Sequence, residues 1–532
     1  MWNPTCRNFR KEDVGGTLLK CDLIDPEPNT WATVCVRWLT LSLILLWLWI
    51  AISIVQNRFF HRLSHFPGPF LASSTNLWKV YHVYVGDLEH VLLEAHRKYG
   101  KTVRIGPNHL DFSDASAVKT IYGSGREFPK STFYDAFTAL RPNLFGVRDE
   151  EVHSARRKAC SNGFSLQSVA AMEPFMDGCL WQLLHRLDQA AVHEEGIDLK
   201  EWIAFFVLDV LGELAFSGSF GILESGDATL MPPIREHVLL ATTSGQLPWL
   251  IPYINKVVPY LPIPALQRMI RGRAGLRALA VTSVEKRVQS KSRRKDLLGR
   301  LLQELDQGYD SKGNELDIKD IQTEAFGFIV AGSHTTAATI TLLLWHLFRN
   351  PDVLKRLQNE IRTGAIHNDG SCHAYANVAN LPYLQACVTE SFRMSPVFVI
   401  PLMRVVPPGG KVIAGEFVPS GTDVSICSHV LHHDAIEFGE NLDKFIPERW
   451  LDESNTRSQY LMPFGAGHRA CLGRNIATTE IYKVVASLLS RYEFDCRLPT
   501  DDMDQVQFSP NTKSFGVADL VGKLMVKVTR RN

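Results

Sequence analysis

PFGAGHRACLG, Pro463 to Gly473, is the stretch on which the fold and chemistry of this chain turn. One cysteine, Cys471, sits between two glycine-rich turns and is followed at once by an apolar helical run. Gly465, Gly467 and Gly473 permit tight or left-handed backbone, which lets amide N–H groups point at the sulfur. Amides converging on one atom favour negative charge there, and the positive end of the following helix adds to it. A thiolate held this way can act as a nucleophile or as a metal ligand. A nucleophile needs a base, and His468 stands three residues upstream. A buried structural cysteine is the third reading, and the spacing alone leaves all three open.

The loop lies late in a chain of 532 residues. Hydrophobic residues make up 45% and charged residues 21%, the balance of a packed globular protein and not of a disordered or collagen-like one. Lys plus Arg number 57 against 56 Asp plus Glu, and a net charge of +1 argues against nucleic acid as a partner. The ten cysteines are scattered without a CxxC pair, which excludes a disulfide scaffold or zinc ribbon.

Far upstream, WLTLSLILLWLWIAISIV, Trp38 to Val55, runs 18 residues without a charge between Arg37 and Arg58. At ~1.5 Å per residue it spans ~27 Å, close to the hydrocarbon thickness of a bilayer. The 37 residues before it are too many for a cleaved signal peptide, and soluble core helices this apolar all round are rare. The sequence therefore predicts an N-terminal tail over 1–37, a single transmembrane anchor over 38–57, a proline-containing linker over 58–70 and a catalytic domain over 71–532. HFPGPF, His65 to Phe70, reads as a stiff extended connector. Five Lys/Arg in residues 1–37, against Arg58 and Arg62 alone in 56–75, put the N-terminus in the cytosol by the positive-inside rule.

Downstream the pattern is long helices with a few short strands. Residues 87–99 form an amphipathic helix, and residues 148–305 are helical almost throughout, broken near Pro232, Pro233 and 248–264. VRI, a GPN turn and HLDF, over 103–112, predict a hairpin, and Lys411 to Ile426 a second strand cluster. The basic run Lys286, Arg287, Lys291, Arg293, Arg294 and Lys295 predicts a solvated helix face. Residues 321–348 are apolar enough to cross the interior as one helix, with Phe328, Ala331 or Gly332, Thr335 and Thr339 on one face. Small residues followed by a hydroxyl weaken a helix interior, which points to a use beyond packing.

Read together, these segments carry a resemblance. FGxGxRxCxG, filled by Phe464, Gly465, Gly467, Arg469, Cys471 and Gly473, resembles the haem-ligand loop of the cytochrome P-450 superfamily. ESFR, Glu390 to Arg393, resembles its ExxR helix; PERW, Pro447 to Trp450, its meander; and AGSHTT, Ala331 to Thr336, its oxygen-activating turn. ExxR alone carries little weight, but its place 81 residues before the cysteine with PERW between makes coincidence implausible. The finer likeness is to fungal microsomal members of secondary metabolism and the pisatin demethylase-like group. It rests on HFPGPF, KYGKTVRIGPN and NLFGVRDEEVHSARR.

The resemblance implies a mainly α fold with small β-sheets behind one N-terminal transmembrane helix. It implies haem b (iron-protoporphyrin IX) with Cys471 as the axial thiolate, shielded by Phe464. Arg469 would pair with one propionate, and His153 with Arg157 would form a second propionate pair, though many relatives carry Trp where His153 stands. Glu390, Arg393 and Arg449 would form a buried structural network. Gly332 would open a groove for dioxygen, and Thr335 would hydrogen-bond it and help deliver protons. The family's usual acid before that threonine is here His334, which can still relay protons near neutral pH. The substrate pocket would be lined by Phe328, Ala331, Val397, Val399 and Ile400, with the loop Phe508 to Phe515. Segments Tyr134 to Phe145 and 205–255 would close over it. The implied activity is monooxygenation of a hydrophobic small molecule (terpenoid, polyketide or alkaloid). Electrons come from NADPH through a separate reductase, with cytochrome b5 as a further partner. Arg156, Lys158, Lys355 and Arg356 are candidates for reductase docking. The family places the catalytic domain on the cytosolic face of the endoplasmic reticulum membrane, against the Lys/Arg count. An oxygen-independent haem-thiolate isomerase or dehydratase and a non-enzymatic haem sensor are the competing readings.

Overall fold

A computed structural model describes residues 28–290, 292, 294–306, 317–364, 372–452, 457–496 and 511–531. The chain divides into two compact units, Met1–Gln56 and Asn57–Asn532. Among the described residues of the first, Pro28–Val55 form one helix, α1, and the apolar window within Trp31–Phe60 is long enough to cross a membrane with none of it buried. The helix starts ten residues before the predicted anchor, because the residues before Trp38 carry no breaker after Pro28, and a proline is tolerated in a first turn. Gln56–Phe60 continue as one π-helical turn.

The second unit is mostly helical. The proline segment does not float free. Leu63 and Phe66 are buried, and the Pro67 carbonyl accepts from the Arg104 N–H at 2.7 Å. Gly68 lies so close to the Arg104 carbonyl that an added Cβ would sit 2.2 Å from its oxygen. The predicted hairpin forms as β1 (Thr102–Gly106) and β2 (His109–Phe112), antiparallel from Thr102↔Phe112 to Gly106↔His109. The predicted helix over 87–99 spans Leu88–Tyr99.

The long helical region resolves into α2 (Glu150–Ser161), α3 (Leu166–Val192), α4 (Leu199–Phe216), α5 (Ile234–Gly245) and α6 (Pro264–Gln289). It contains β3 (Gly196–Asp198), three residues too short to show a period in sequence. The predicted solvated basic face is corrected in part. Arg287 is buried against Asp296 at 2.8 Å, and Arg294 pairs with Glu213 at 2.8 Å and stacks on Phe175. Each guanidinium found a carboxylate from another segment. Lys291 and Arg293 lie outside the described residues.

The central helix α7 (Ile318–Arg349) begins at a capping box in which Asp317 accepts from the Lys319 and Asp320 N–H groups. It passes the length and apolarity test for a membrane span, yet most of it is buried, packed on α4, α6 and the C-terminal helix. α8 (Pro382–Met394) carries the ExxR pair. The second strand cluster splits: β4 (Arg404–Val405) and β7 (Asp423–Ser425) join β1 and β2 in a sheet ordered β1-β2-β7-β4, while β5 (Lys411–Ile413) and β6 (Glu416–Val418) pair alone. The cysteine loop feeds α9 (Arg474–Arg491). Then β8 (Tyr492–Asp495) and β11 (Met525–Arg530) pair with β3, and β9 (Thr512–Ser514) pairs with β10 (Ala518–Leu520). The largest core cluster is built from α3, α4, α7 and α9, so the cysteine loop enters it directly.

Candidate active site

The cysteine loop is shaped by its own backbone. Gly465 and Gly467 take φ of +67° and +65°, and a Cβ at Gly467 would collide with the Tyr122 carbonyl. Gly473 takes an ordinary φ of −76° as the N-cap of α9, so left-handed backbone is needed at two of the three glycines. The Cys471 N–H closes the loop on the Phe464 carbonyl at 2.8 Å, and Phe464 packs edge-on against Phe392 of α8. The sulfur opens onto a cavity of about 350 Å³. Burial pushes its thiol up, while the N–H groups of Gly473 and Arg474 and the charges of Arg157 and Arg474 oppose that push. A group so placed is stabilised as an anion once a cation lies across from it.

Beside the sulfur lies a basic cluster. Arg157 donates to the Ala470 carbonyl at 2.8 Å, and Arg469 donates to Glu150 at 2.7 Å and to the Val147 carbonyl at 2.9 Å. Lys130 is buried, donates to the Phe145 carbonyl at 2.5 Å and lies near Arg404, Arg469 and Arg157, so burial and those charges depress its ammonium far below the usual range. His153 is buried with Nδ1 unpartnered. Burial first, then Arg469, Lys130, Arg157 and His468, hold it down to about 2, so it is neutral. Glu150 is bonded to Arg469 and His468, and it stands against several cations. Buried Arg157, Arg469 and Lys130, whose charged forms are disfavoured until an anion lies beside them, next to an open cysteine and an unpartnered imidazole nitrogen, fit a prosthetic group with carboxylates along one edge. Haem is such a group, and these residues fit it.

The opposite wall is α7. Phe328, Ala331, Gly332, Thr335 and Thr339 all line the cavity. A Cβ at Gly332 would meet Leu211 of α4 at 3.0 Å, so the glycine also lets two helices close up. Thr335 donates to the Ala331 carbonyl at 2.9 Å and Thr339 to the Thr335 carbonyl at 2.8 Å, side-chain bonds that loosen the helix ladder at this turn. His334 faces away from the cavity. Its Nε2 lies 3.3 Å from Asp519 on β10, whose carboxylate also takes Lys200 at 2.8 Å.

Of the remaining predicted wall, Val397 and Ile400 line the cavity and Val399 does not. Val399 is buried elsewhere, with its carbonyl facing the Cys427 sulfur at 3.3 Å, and Phe398 lines the cavity in its place. Phe137, Asn143, Leu144 and Phe145 close one side, and Leu211, Leu214, His237, Val238 and Thr242 another. Tyr134 instead accepts from Arg404 at 3.0 Å. From the C-terminal loop Gly516 and Val517 contribute, while Phe508 lies outside the described residues.

Glu390 and Arg393 are fully buried 2.9 Å apart, and Arg449 Nε reaches Glu390 at 3.3 Å. Around them Trp450 donates to Glu390 at 2.9 Å, and Arg393 and Arg449 donate to the carbonyls of Leu442 and Phe438, each at 2.9 Å. The network thus pins residues 438–450 to α8. Among the docking candidates Arg156 is engaged inward, with Glu324 at 2.7 Å and Asp320 at 3.1 Å; Arg356 pairs with Glu448 at 2.8 Å, and Lys158 and Lys355 are exposed. Sequence reasoning missed Lys130, Arg404, Phe398 and His237. A lone arginine inside IPLMRVV was the available signal for Arg404.

A helical fold that presents one cysteine and a basic rim to an apolar cavity defines the haem-thiolate class. The family profile described as Cytochrome P450 matches residues 67–518. Similar proteins include the cytochrome P450 monooxygenase cicH of Emericella nidulans, 35% identical over 471 residues, 86% of this chain and 94% of that protein. Cytochrome P450 monooxygenase gsfF of Penicillium aethiopicum is 33% identical over 83% of this chain and 90% of its own length. Cytochrome P450 monooxygenase asR2 of Sarocladium schorii is 32% identical, with coverage of 82% and 88%. The chain belongs to the cytochrome P450 family, and its class is that of haem monooxygenases.

Proposed function

We propose that the protein is a membrane-anchored haem b monooxygenase of fungal secondary metabolism, with Cys471 as the residue that would hold the haem iron. It takes electrons from NADPH through a separate reductase, with cytochrome b5 as a second donor. It sits in the endoplasmic reticulum membrane through α1, with lipid around that helix and residues 57–532 on the cytosolic side. The observation that carries the reading is the Cys471 sulfur opening into an apolar cavity opposite Gly332 and Thr335. Haem held there would supply the oxygen chemistry by which one oxygen atom enters a C–H bond of the substrate.

The chain's own residues do the rest. Cys471, with the Gly473 and Arg474 N–H groups and the α9 N-terminus behind it, holds the thiolate. Phe464 keeps water from it. Arg157, Arg469, His153, Lys130 and Arg404 hold the carboxylate edge. Thr335 turns its hydroxyl from the Ala331 carbonyl toward the cavity, where it positions a proton. His334 and Asp519 supply that proton from the outer face of α7. Phe328, Ala331, Val397 and Ile400 exclude water and hold an apolar substrate such as a terpenoid, polyketide or alkaloid.

The test is the optical spectrum of the reduced, carbon-monoxide-bound full chain in microsomes. A strongly red-shifted Soret band that disappears in Cys471→Ala is expected. A histidine-type band, or a thiolate band that survives the substitution, would overturn the assignment.

A further inference from the structure

We propose that Arg58, His61 and Arg62, backed by the buried Arg104, bind the phosphate of an anionic phospholipid in the bilayer that α1 enters. The proposal rests on the membrane anchoring in the reading above and adds the lipid class that the protein selects. From Pro28 to Gly86 the chain holds no Asp or Glu, so the cationic groups that follow α1 have no acid near them in sequence. The fold brings them only neutral acceptors. Arg104 on β1 is fully buried, and one terminal nitrogen donates to the Asn57 carbonyl at 2.7 Å and the Pro107 carbonyl at 2.6 Å. Its Nε and its other terminal nitrogen have no partner. Arg58 donates to the Ser64 carbonyl at 3.4 Å, and Arg62 to the Ser420 carbonyl and, at 2.9 Å, to Asn108 Oδ1. Among the described residues, none of these three guanidiniums pairs with a carboxylate.

The four groups share one place. Arg104 holds the carbonyl of the residue before Arg58, and Arg62 holds the residue after Pro107. Burial first, then the Arg58 charge, lowers the Arg104 guanidinium to about 10, and burial, then Arg104 and Arg62, lowers His61. An anion set among them relieves that repulsion. Arg58 and His61 are half-buried and Arg62 is exposed, so these three make the contacts while Arg104 acts through its charge. The Leu63 N–H donates to His61 Nδ1 at 3.2 Å, which leaves the ring proton on Nε2 as a donor. Guanidinium forks match the oxygens of a phosphate. Two observations favour a lipid over a free ion. Arg58 stands three residues past Val55, the end of a helix apolar enough to span a bilayer, where basic side chains draw anionic headgroups. Phe59 and Phe60, between the cations, are 59% and 80% exposed, and the Arg58 guanidinium lies 5.5 Å from the Phe59 ring centre. Aromatic rings bared beside charge suit the level of the headgroups and not open water.

The experiment places the full-length holoprotein in phosphatidylcholine vesicles with a trace of spin-labelled phosphatidic acid or spin-labelled phosphatidylcholine. Electron spin resonance reads how much of each label the protein immobilises. Phosphatidic acid is expected to associate on the order of tenfold more strongly than phosphatidylcholine at low salt. Arg58→Gln with Arg62→Gln should remove most of that preference, and Arg58→Lys with Arg62→Lys, which keeps the charge, should hold the greater part. Inorganic phosphate, matched in ionic strength to a chloride control, should not displace the labelled phosphatidic acid. Equal association of the two lipids, or a preference that survives the Gln pair, would overturn the proposal. Displacement by inorganic phosphate would overturn it too, by making the site one for a free anion. Should the Gln pair not fold, Arg62→Gln alone, at an exposed position, should weaken the preference about fivefold, and no change there would count against the site. Flotation separates the two claims. A protein that floats with phosphatidylcholine but shows no lipid preference removes this site alone. One that floats only with phosphatidic acid present removes the α1 anchor and keeps the site, and one that floats with neither removes both.

Discussion

Glu89 is buried in the helix Leu88–Tyr99 with both carboxyl oxygens lacking a hydrogen-bond partner. Burial, with the Asp87 charge adding to it, carries its pKa from 4.5 up to about 8. A carboxyl raised in the folded state contributes its full stability below its unfolded value and loses it as pH climbs through 4.5 toward 8. Replacing it removes that loss: Glu89→Leu is expected to raise the thermal midpoint, by on the order of 3 kcal/mol of stability at pH 8 and much less at pH 5. Equal gains at the two pH values would show that the group is already ionised. Asp519 has the opposite sign. Burial raises its carboxyl, but His334 and Lys200 outweigh that and leave it below the usual range, so its contribution holds at neutral pH and is lost as pH falls through that lowered value. Asp519→Asn is expected to keep the thiolate spectrum and lower the product formed per NADPH consumed. Unchanged coupling would take the His334–Asp519 pair out of the proton path.

Elements are held to the cysteine loop by buried polar atoms, not by apolar contact alone. His432 is fully buried, its Nδ1 on the Phe392 carbonyl at 3.1 Å and its Nε2 accepting from the Met462 N–H at 2.9 Å. It thereby ties α8 to the residue before Pro463. Glu390→Gln would leave Arg393 and Arg449 facing a neutral partner in a dry site; a loss of about 3–5 kcal/mol is expected, read as a drop in the denaturation midpoint and in haem retained on purification. A midpoint within error of the unaltered protein would show the network to be dispensable. What was legible in sequence follows the same division. The loop at 463–473 showed because glycines at Gly465 and Gly467 are demanded locally by the backbone, and the helix around Thr335 showed because its face repeats. Lys130, Arg404 and His432 did not, because their partners lie up to 270 residues away in sequence, as Tyr134 does from Arg404. Val399 went wrong for a smaller reason. Val397, Phe398 and Ile400 line the cavity and Val399 does not, a pattern of an irregular segment that no fixed period in the sequence foretells.

For the whole molecule, the division at Gln56 sets a testable boundary. Among the described residues, the unit Asn57–Asn532 contains the cysteine loop, the basic rim, α7 and the buried clusters. The proline segment belongs to that unit, since Gly68 fits against β1 with no space for a side chain. A cut at residue 71, where the linker was expected to end, would therefore strip Leu63 and Phe66 from the core. A chain starting at Asn57 is expected to keep the thermal midpoint and carbon-monoxide spectrum of the full protein while losing stable flotation with lipid vesicles. A chain starting at residue 71 should lose stability, by about 2–4 kcal/mol for two large apolar side chains withdrawn from the interior. If the two truncations melt together, the segment from Asn57 to Phe70 is a tether and not part of the fold. If the longer one still floats as the full chain does, the membrane is held by the catalytic unit and α1 is not the main anchor.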